Sequence, residues 1–193
     1  MNESIEIPPI SDLEEELERV TYQKRFRRTL RSTIYMLITV AAVAVLVAVL
    51  LLPVLQIYGT SMTPTLTEGD IVVSVKGSAD MKPGEVLAFY YNNKILVKRV
   101  IAGPGDWVDI DESGNVYVNS ELLDEPYIAE KAYGETTIKL PYQVPEKRIF
   151  VMGDHRATSV DSRNNSVGCV AEEQIVGKIV FRVWPLTKFG PVH

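Results

Sequence analysis

The stretch LLPVLQIYGTSMTPTLTEGD, Leu51 to Asp70, marks the change between two kinds of sequence. Up to Leu55, the run that starts at Ile34 carries 22 residues without a charge. As a helix rising about 1.5 Å per residue, this run reaches roughly 33 Å and crosses the hydrocarbon core of a bilayer. After the stretch, short runs rich in Val, Ile, Tyr and Phe alternate with turn residues, which is typical of β-strands. The sequence therefore predicts a membrane helix followed by a mainly β domain.

A cleaved secretory signal and a buried core helix are the alternatives for the apolar run. A secretory signal has an apolar region of about 7–15 residues near the start of the chain. The Ala-x-Ala formed by Ala42 and Ala44 lies inside the run rather than after it. A core helix that is apolar on all faces over this length does not fit so small a domain. We therefore expect an uncleaved anchor.

Charge is segregated on the amino-terminal side of this anchor. Residues 1–18 hold seven acids and no base, and residues 19–31 hold six bases and no acid. Because no comparable basic cluster follows the apolar run, the positive-inside rule places the amino terminus in the cytoplasm. We expect a single-pass protein of the cell membrane with a cytoplasmic tail over 1–32, a transmembrane helix over 33–56 and an extracytoplasmic β domain over 57–193.

Seven runs in the outer domain predict strands. They read DIVVSV, EVLAFYY, KILVKRVI, DWVDI, NVYVN, RIFVMGD and IVGKIVFRVW. Ser113-Gly114-Asn115 supplies turn residues between the fourth and fifth runs and predicts a hairpin. Residues 121–145 combine prolines and polar residues with a weak period, which predicts an excursion over the surface.

The composition narrows the kinds of site that the chain can build. Cys169 is the only cysteine, so no intrachain disulfide and no cysteine-rich zinc site can form. With only two histidines, His155 and His193, the composition argues against a histidine-based metal centre. Outside the amino-terminal charge blocks the chain is mildly acidic and has no nucleic-acid signature. We expect no metal, no cofactor and no nucleic-acid partner.

Ser61 lies in the turn that follows the anchor, and its hydroxyl would need a base to act as a nucleophile. Histidine is the usual base, which leaves His155 in GDHRATS as one candidate. A lysine is the other candidate, provided that burial removes its charge. In KILVKRVI, strand alternation places Leu96, Lys98 and Val100 on one face, so that Lys98 points toward the core and Arg99 points away. In the reversed register Lys98 is a surface lysine.

Three motifs follow the anchor in order: GTSMTPTLTEGD, KRVIAGPGD and VMGDHRATSVDSRNNSVGCV. Together with the anchor they resemble the type I signal peptidases, membrane-bound serine proteases with a Ser/Lys dyad. The resemblance covers the anchor and nearly all of residues 57–184 and implies the antiparallel β fold of that family. It implies that Ser61 is the nucleophile and that Lys98 is the general base.

The resemblance also implies supporting roles for further residues. Ser159 matches the serine that orients the lysine, while Asp154, and Asp161 with Arg163, match residues that support the site through an ion pair. Gly59 stands where some members carry a serine that donates to the oxyanion. As in the branch typical of Gram-positive bacteria, the oxyanion hole would use backbone N–H groups, those of Ser61 and Gly59.

The substrates that the resemblance implies are exported preproteins cleaved after a small-x-small site such as Ala-x-Ala. Ser61 lies six positions after Leu55, and even an extended link of this length spans only about 20 Å. We therefore expect the nucleophile near the outer face of the lipid bilayer and close to the secretion translocon. His155 stands where many members have Asn, and we expect a structural role for it.

Two alternatives remain open on the sequence. One is another Ser/Lys protease with a related β fold, such as a self-cleaving repressor-type or pilus-processing peptidase. The other is a membrane-anchored binding module that holds exported chains at a strand edge.

Overall fold

The computed structural model describes residues 9–76 and 81–192 of the chain. By its internal contacts the chain divides into an amino-terminal unit that ends at Ala48 and a second unit that starts at Val49. The first eight residues of the predicted cytoplasmic tail lie outside the described residues.

The amino-terminal unit consists of one helix, α1 (Ile10–Leu51), with 42 residues. Within it, Leu13–Val49 is long and apolar enough to cross a membrane. The helix ends just before Pro53, because a proline has no N–H to donate and disfavours helical backbone at the residue before it. The sequence-based transmembrane segment, 33–56, therefore runs too far, since Val54–Gln56 is a strand.

The second unit contains two antiparallel sheets and two 3₁₀ helices, Glu172–Gln174 and Leu186–Lys188. The larger sheet contains β1 (Val54–Gln56), β2 (Ile71–Val75), β3 (Val86–Tyr91), β4 (Lys94–Ala102), β9 (Arg148–Met152), β10 (Val170–Ala171), β11 (Ile175–Trp184) and β12 (Gly190–Pro191). Its strand order is β1-β2-β11-β3-β4-β9-β10, and β12 pairs with β11. The smaller sheet contains β5 (Trp107–Ile110), β6 (Val116–Val118), β7 (Glu121–Leu122) and β8 (Tyr142–Gln143). Its strand order is β7-β6-β5-β8.

All seven strands predicted from the sequence are present, as β2, β3, β4, β5, β6, β9 and β11. The hairpin between β5 and β6 is confirmed, with Val108 opposite Val118 and Ile110 opposite Val116. The strands that the sequence did not reveal have only two or three residues each, which is too short for a periodic pattern.

The larger sheet is covered on both faces, as the alternation along β3 shows. Val86 and Ala88 belong to one buried cluster, together with Met62. Leu87 and Phe89, which alternate with them, belong to another. Residues of both sheets form a third cluster, which includes Val108 and Ile110 of β5 and Phe150 and Met152 of β9. Residues 86–89 of β3 and 98–102 of β4 are therefore buried on both faces of the sheet.

Candidate active site

The turn that carries Ser61 is fixed to the sheet by its neighbour Met62. Met62 is 2% exposed and packs in the cluster beneath β2 and β3. Its carbonyl accepts the N–H of Leu66 at 2.8 Å. Ser61 itself is half-buried. The apolar side chain thus anchors the turn and leaves the hydroxyl of the preceding residue accessible.

A second segment, residues 153–163, packs directly against Ser61. The N–H of His155 donates to the carbonyl of Ser61 at 3.0 Å. A Cβ built on Gly153 would lie 2.5 Å from that carbonyl and closer still to Ser159 Oγ. Only glycine fits at position 153, because any side chain would push the two serines apart. We call residues 153–163 the site segment.

A cavity of about 800 Å³, here called the cleft, opens beside Ser61. Residues 55–59 and 61–62 line one side, and residue 90 with residues 93–98 lines the other. Ser61 and Lys98 are both among the lining residues. The structure therefore brings the predicted nucleophile and the predicted base to one cleft.

Lys98 is buried, as the strand pattern predicted, and the alternative of a surface lysine is wrong. It is 3% exposed and lies opposite Leu87, on the face that packs with Val100 and Leu96. Among residues 9–76 and 81–192 no carboxylate forms an ion pair with it. Burial lowers the pKa of Lys98 from 10.5 to about 8, partly opposed by the negative charge of Asp161.

Arg99 was expected to point away from the core, and this expectation is wrong. Its side chain is 1% exposed, because β4 is an inner strand whose second face is covered as well. The guanidinium donates from Nε and Nη2 to the two carboxylate oxygens of Asp154, at 2.9 and 2.7 Å. It also donates to Gly84 O at 2.6 Å and to Thr65 Oγ1 at 3.1 Å. Asp154 is thus the partner of Arg99 and ties the site segment to β4.

Asp161 and Arg163 form an ion pair, with both side chains fully buried. Arg163 Nε and Nη2 each donate to a different carboxylate oxygen at 2.9 Å. The N–H of Gly153 donates to the same carboxylate at 3.0 Å. Burial alone would raise the pKa of Asp161, but the hydrogen bonds and charge of Arg163 outweigh it and hold the pKa below its ordinary value. Asp161 therefore stays ionised close to Lys98.

Ser159 is 2% exposed, and its hydroxyl has no partner within hydrogen-bond geometry in the described part of the chain. It still lies close enough to Asp161 to help lower the pKa of that carboxyl. A buried hydroxyl without a partner is unfavourable, so this group is available to a side chain or ligand next to it.

Comparison with known proteins places these motifs in a family. Residues 30–184 match the family described as signal peptidase, peptidase S26. The chain belongs to this family. It is 37% identical over 152 residues to signal peptidase IB of Staphylococcus aureus strain COL, covering 69% of this chain and 78% of that protein. It is 35% identical over 149 residues to thylakoidal processing peptidase 1, chloroplastic, of Arabidopsis thaliana, covering 69% of this chain and 42% of that protein.

A crystal structure of a signal peptidase I from Enterococcus faecalis V583 is also similar. It is 27% identical in sequence, has a TM-score of 0.44, and the match covers 51% of this chain and 95% of that one.

Membership of the signal peptidase family settles the broad activity. The chain is a serine endopeptidase with signal peptidase I function, and its substrates are preproteins that carry signal peptides. The apolar helix α1 is consistent with the membrane anchor of such an enzyme. This assignment favours the enzyme over the binding-module alternative.

Gly59 and His155 are the two positions at which the motif resemblance differs from some or many members. Gly59 adopts a φ of +80°, and a Cβ there would meet nothing within 4 Å, so the glycine is needed for its backbone and not for space. His155 Nδ1 lies 2.6 Å from Thr158 Oγ1. The backbone N–H of His155, rather than its ring, contacts Ser61. His193 lies outside the described residues.

Sequence reasoning missed a further buried ion pair, between Glu125 and Arg156. Both side chains are 0% exposed. Glu125 comes from the connection between β7 and β8, for which the sequence predicts an excursion over the surface, and for this residue that prediction is wrong. A charged residue in a polar segment with no period looks solvated, so the sequence gives no signal for its burial. Within the described residues, no group of three or more His, Cys, Asp or Glu side chains could hold a metal ion.

Proposed function

We propose that Ser61 and Lys98 form the catalytic dyad of this signal peptidase and that it cleaves preproteins after a small-x-small site such as Ala-x-Ala. One observation carries the proposal: Lys98 is buried without a carboxylate partner among the described residues and lines the same cleft as Ser61. Such a lysine can be neutral near physiological pH, and only a neutral amine can accept a proton.

In the proposed reaction, neutral Lys98 Nζ takes the proton of Ser61 Oγ, and Oγ attacks the carbonyl carbon of the scissile peptide bond. The backbone N–H groups of Ser61 and Gly59 donate to the oxyanion that forms. The C–N bond breaks, and Lys98 returns its proton to the departing amine of the mature protein. Lys98 then removes a proton from water as the water oxygen attacks the acyl carbonyl carbon. The C–O bond of the acyl-enzyme breaks, and Lys98 returns this proton to Ser61 Oγ, which restores both groups.

The supporting residues are proposed to keep this dyad in place. The free hydroxyl of Ser159 would accept a hydrogen bond from Lys98 and orient its lone pair toward Ser61. Asp161, held by Arg163 and by the N–H of Gly153, would fix the site segment beneath the lysine. Asp154, paired with Arg99, would fix the same segment to β4.

The substrate is proposed to lie extended in the cleft, along an open edge of β4. β3 pairs with Lys94–Arg99 on one edge of this strand, while β9 pairs with the other edge only from Arg99 onward. In the described structure the second edge of residues 94–98 carries no strand. A peptide that adds there would gain backbone hydrogen bonds, and alternate side chains would enter the cleft.

The orientation in the membrane is proposed from charge. The basic cluster at residues 19–31 precedes the apolar part of α1, so the amino terminus would be cytoplasmic and the catalytic unit extracytoplasmic, close to the lipid bilayer and the translocon. Protease added outside intact spheroplasts should digest the catalytic unit and spare an amino-terminal tag. Digestion of the tag alone would show the opposite orientation, with the amino terminus outside.

The decisive experiment compares cleavage of an Ala-x-Ala preprotein by the full chain in detergent with cleavage by Ser61→Ala and Lys98→Ala. Both variants should fall to background while remaining folded. Ser113→Ala, in the β5–β6 hairpin, and Lys139→Ala, on the exposed part of the β7–β8 connection, are matched controls that should cleave like the wild type.

Each failure has its own meaning. A wild-type enzyme that cuts equally well when both small residues are replaced by Leu would contradict the small-x-small specificity. Full activity of either dyad variant would contradict the dyad. As an independent readout, a penem inhibitor should acylate the wild type and leave Ser61→Ala unlabelled.

A further inference from the structure

The connection between β7 and β8 sends two side chains behind the active site, Glu125 and Tyr127. The carboxylate of Glu125 is 0% exposed. The ring of Tyr127 lies under the guanidinium of Arg99, with 3.9 Å between its centroid and Cζ. Neither residue lines the cleft or lies in the motifs that carry the family resemblance, so neither has a role in the reaction as described so far.

Glu125 reaches the backbone of the site segment through Arg156. Both terminal nitrogens of Arg156 donate to the carboxylate, Nη1 to Oε2 at 3.1 Å and Nη2 to Oε1. Arg156 Nε donates to the carbonyl of Gly153 at 3.1 Å. The bidentate ion pair therefore orients a guanidinium whose Nε–H holds Gly153, the residue that packs tightly against both Ser61 O and Ser159 Oγ.

Glu125 also reaches Asp154, the residue after Gly153, through Tyr127 and Arg99. The phenol donates to Glu125 Oε1 at 3.2 Å, and burial raises the pKa of Tyr127, so the hydroxyl keeps its proton. The ring supports Arg99, and Arg99 holds Asp154. Two chains of contacts thus start at Glu125 and end at adjacent residues, Gly153 and Asp154.

We propose that Glu125, Tyr127 and Arg156 form a positioning unit that holds Gly153 and Asp154 against Ser61 and Lys98, so that the β7–β8 connection takes part in catalysis. The proposal rests on the Ser61/Lys98 dyad. A buried ion pair is weak as a source of stability compared with apolar packing, whereas its directed hydrogen bonds fix geometry. Loss of the unit should therefore loosen the site segment and let water reach Lys98.

The test uses Glu125→Gln and Tyr127→Phe in the full chain in detergent. Glu125→Gln keeps the shape of the side chain and removes its charge. Tyr127→Phe keeps the ring under Arg99 and removes only the bond to Glu125. Ile110→Ala, which opens a cavity in the cluster shared by the two sheets, is the control for lost stability. For each protein we would measure kcat, KM and the pH midpoint of kcat/KM on the Ala-x-Ala preprotein, together with Tm.

We expect Glu125→Gln to lose at least tenfold in kcat, with KM within about twofold of wild type. Tyr127→Phe should lose roughly threefold to tenfold. In both variants the pH midpoint should move upward, because added water favours the charged lysine. Ile110→Ala should lower Tm and leave the midpoint unchanged. If Glu125→Gln fails to fold, Tyr127→Phe decides alone.

A folded Tyr127→Phe enzyme with the wild-type kcat and pH midpoint would overturn the proposal. So would equal midpoint shifts in Ile110→Ala, which would show a general effect of lower stability. These results are distinct from failure of the dyad, since that failure appears in Ser61→Ala and Lys98→Ala while the wild type still cleaves.

Discussion

The two adjacent basic residues of β4, Lys98 and Arg99, are both buried, but the protein treats their charges in opposite ways. Arg99 has a bidentate partner in Asp154 and two further acceptors. Lys98 has no ion-pair partner among the described residues, and burial lowers its pKa to about 8. An arginine keeps its charge at any physiological pH, so the buried charge of Arg99 is balanced by a carboxylate. A lysine can lose its proton, and Lys98 has no paired carboxylate that would keep it charged.

The other buried arginines near the cleft are paired with carboxylates in the same way as Arg99. Its three buried arginines each have a carboxylate of their own: Arg99 with Asp154, Arg156 with Glu125, and Arg163 with Asp161. Because each carboxylate is engaged in this way, none of the three forms an ion pair with Lys98, although the charge of Asp161 partly opposes the lowering of its pKa. The network thus combines a rigid frame for the site segment with an uncompensated lysine at the edge of the cleft.

The largest effect is expected from a substitution that gives position 98 the permanent positive charge of position 99. Lys98→Arg keeps a positive charge that cannot be lost in the physiological pH range, so kcat/KM should fall at least 10³-fold at every pH from 6 to 10. In the wild type, kcat/KM should rise as pH increases through about 8 and then level off, because the neutral lysine is the active form. A pH–rate series on the Ala-x-Ala preprotein measures both. Substantial activity of Lys98→Arg would exclude this lysine as the base.

The reverse change removes the compensation of Arg99. Asp154→Asn leaves a buried guanidinium without its counter-charge and should destabilise the catalytic unit by about 3–5 kcal/mol. Urea unfolding of the full chain in detergent, followed by the fluorescence of Trp107 and Trp184, measures this. Asp124→Asn changes an exposed carboxylate of the same type and should shift stability by under about 0.5 kcal/mol. Equal effects of the two changes would show that the Arg99 pair matters no more than a surface charge.

Removing the lysine charge should stabilise the protein. The folded-state pKa of Lys98, about 8, lies below its unfolded value of 10.5, so between these values the unfolded chain binds more protons and wild-type stability rises with pH. At pH 7 the lowered pKa costs up to about 3 kcal/mol. Lys98→Met should therefore be more stable than the wild type at pH 7, with the difference shrinking toward pH 10. The same urea measurement at the two pH values checks this, and a constant difference would contradict the linkage.

The contrast between the two residues also shows what could be predicted from the sequence. Alternation in KILVKRVI gave the burial of Lys98 correctly, because that face consists of apolar residues. It misplaced Arg99, because alternation sorts residues into two faces and does not reveal that both faces of an inner strand are covered. The long periodic strands and the β5–β6 hairpin were predicted for the same reason that Lys98 was.

What the sequence could not reveal depends on contacts between distant segments. Glu125 belongs to a segment without periodicity, and its partner Arg156 lies 31 positions later in the chain. Likewise, Gly153 is one glycine among twelve, and its need for a bare Cα follows only from the approach of Ser61 and Ser159. The motifs identified the family, while the arrangement that holds the motifs together required the structure.

The smallest effect is expected at His155, the histidine whose backbone N–H contacts Ser61. His155→Asn keeps the backbone N–H that donates to the carbonyl of Ser61, and the imidazole that it removes contacts Thr158. Asparagine can replace that contact with its side-chain amide, so kcat/KM should stay within about threefold of wild type and the pH midpoint should not move. The same pH–rate series as for Lys98→Arg measures both quantities. A hundredfold loss of kcat/KM together with a shifted pH midpoint would instead identify His155 as a proton-transfer group. Lys98 would then not be the only base in the reaction.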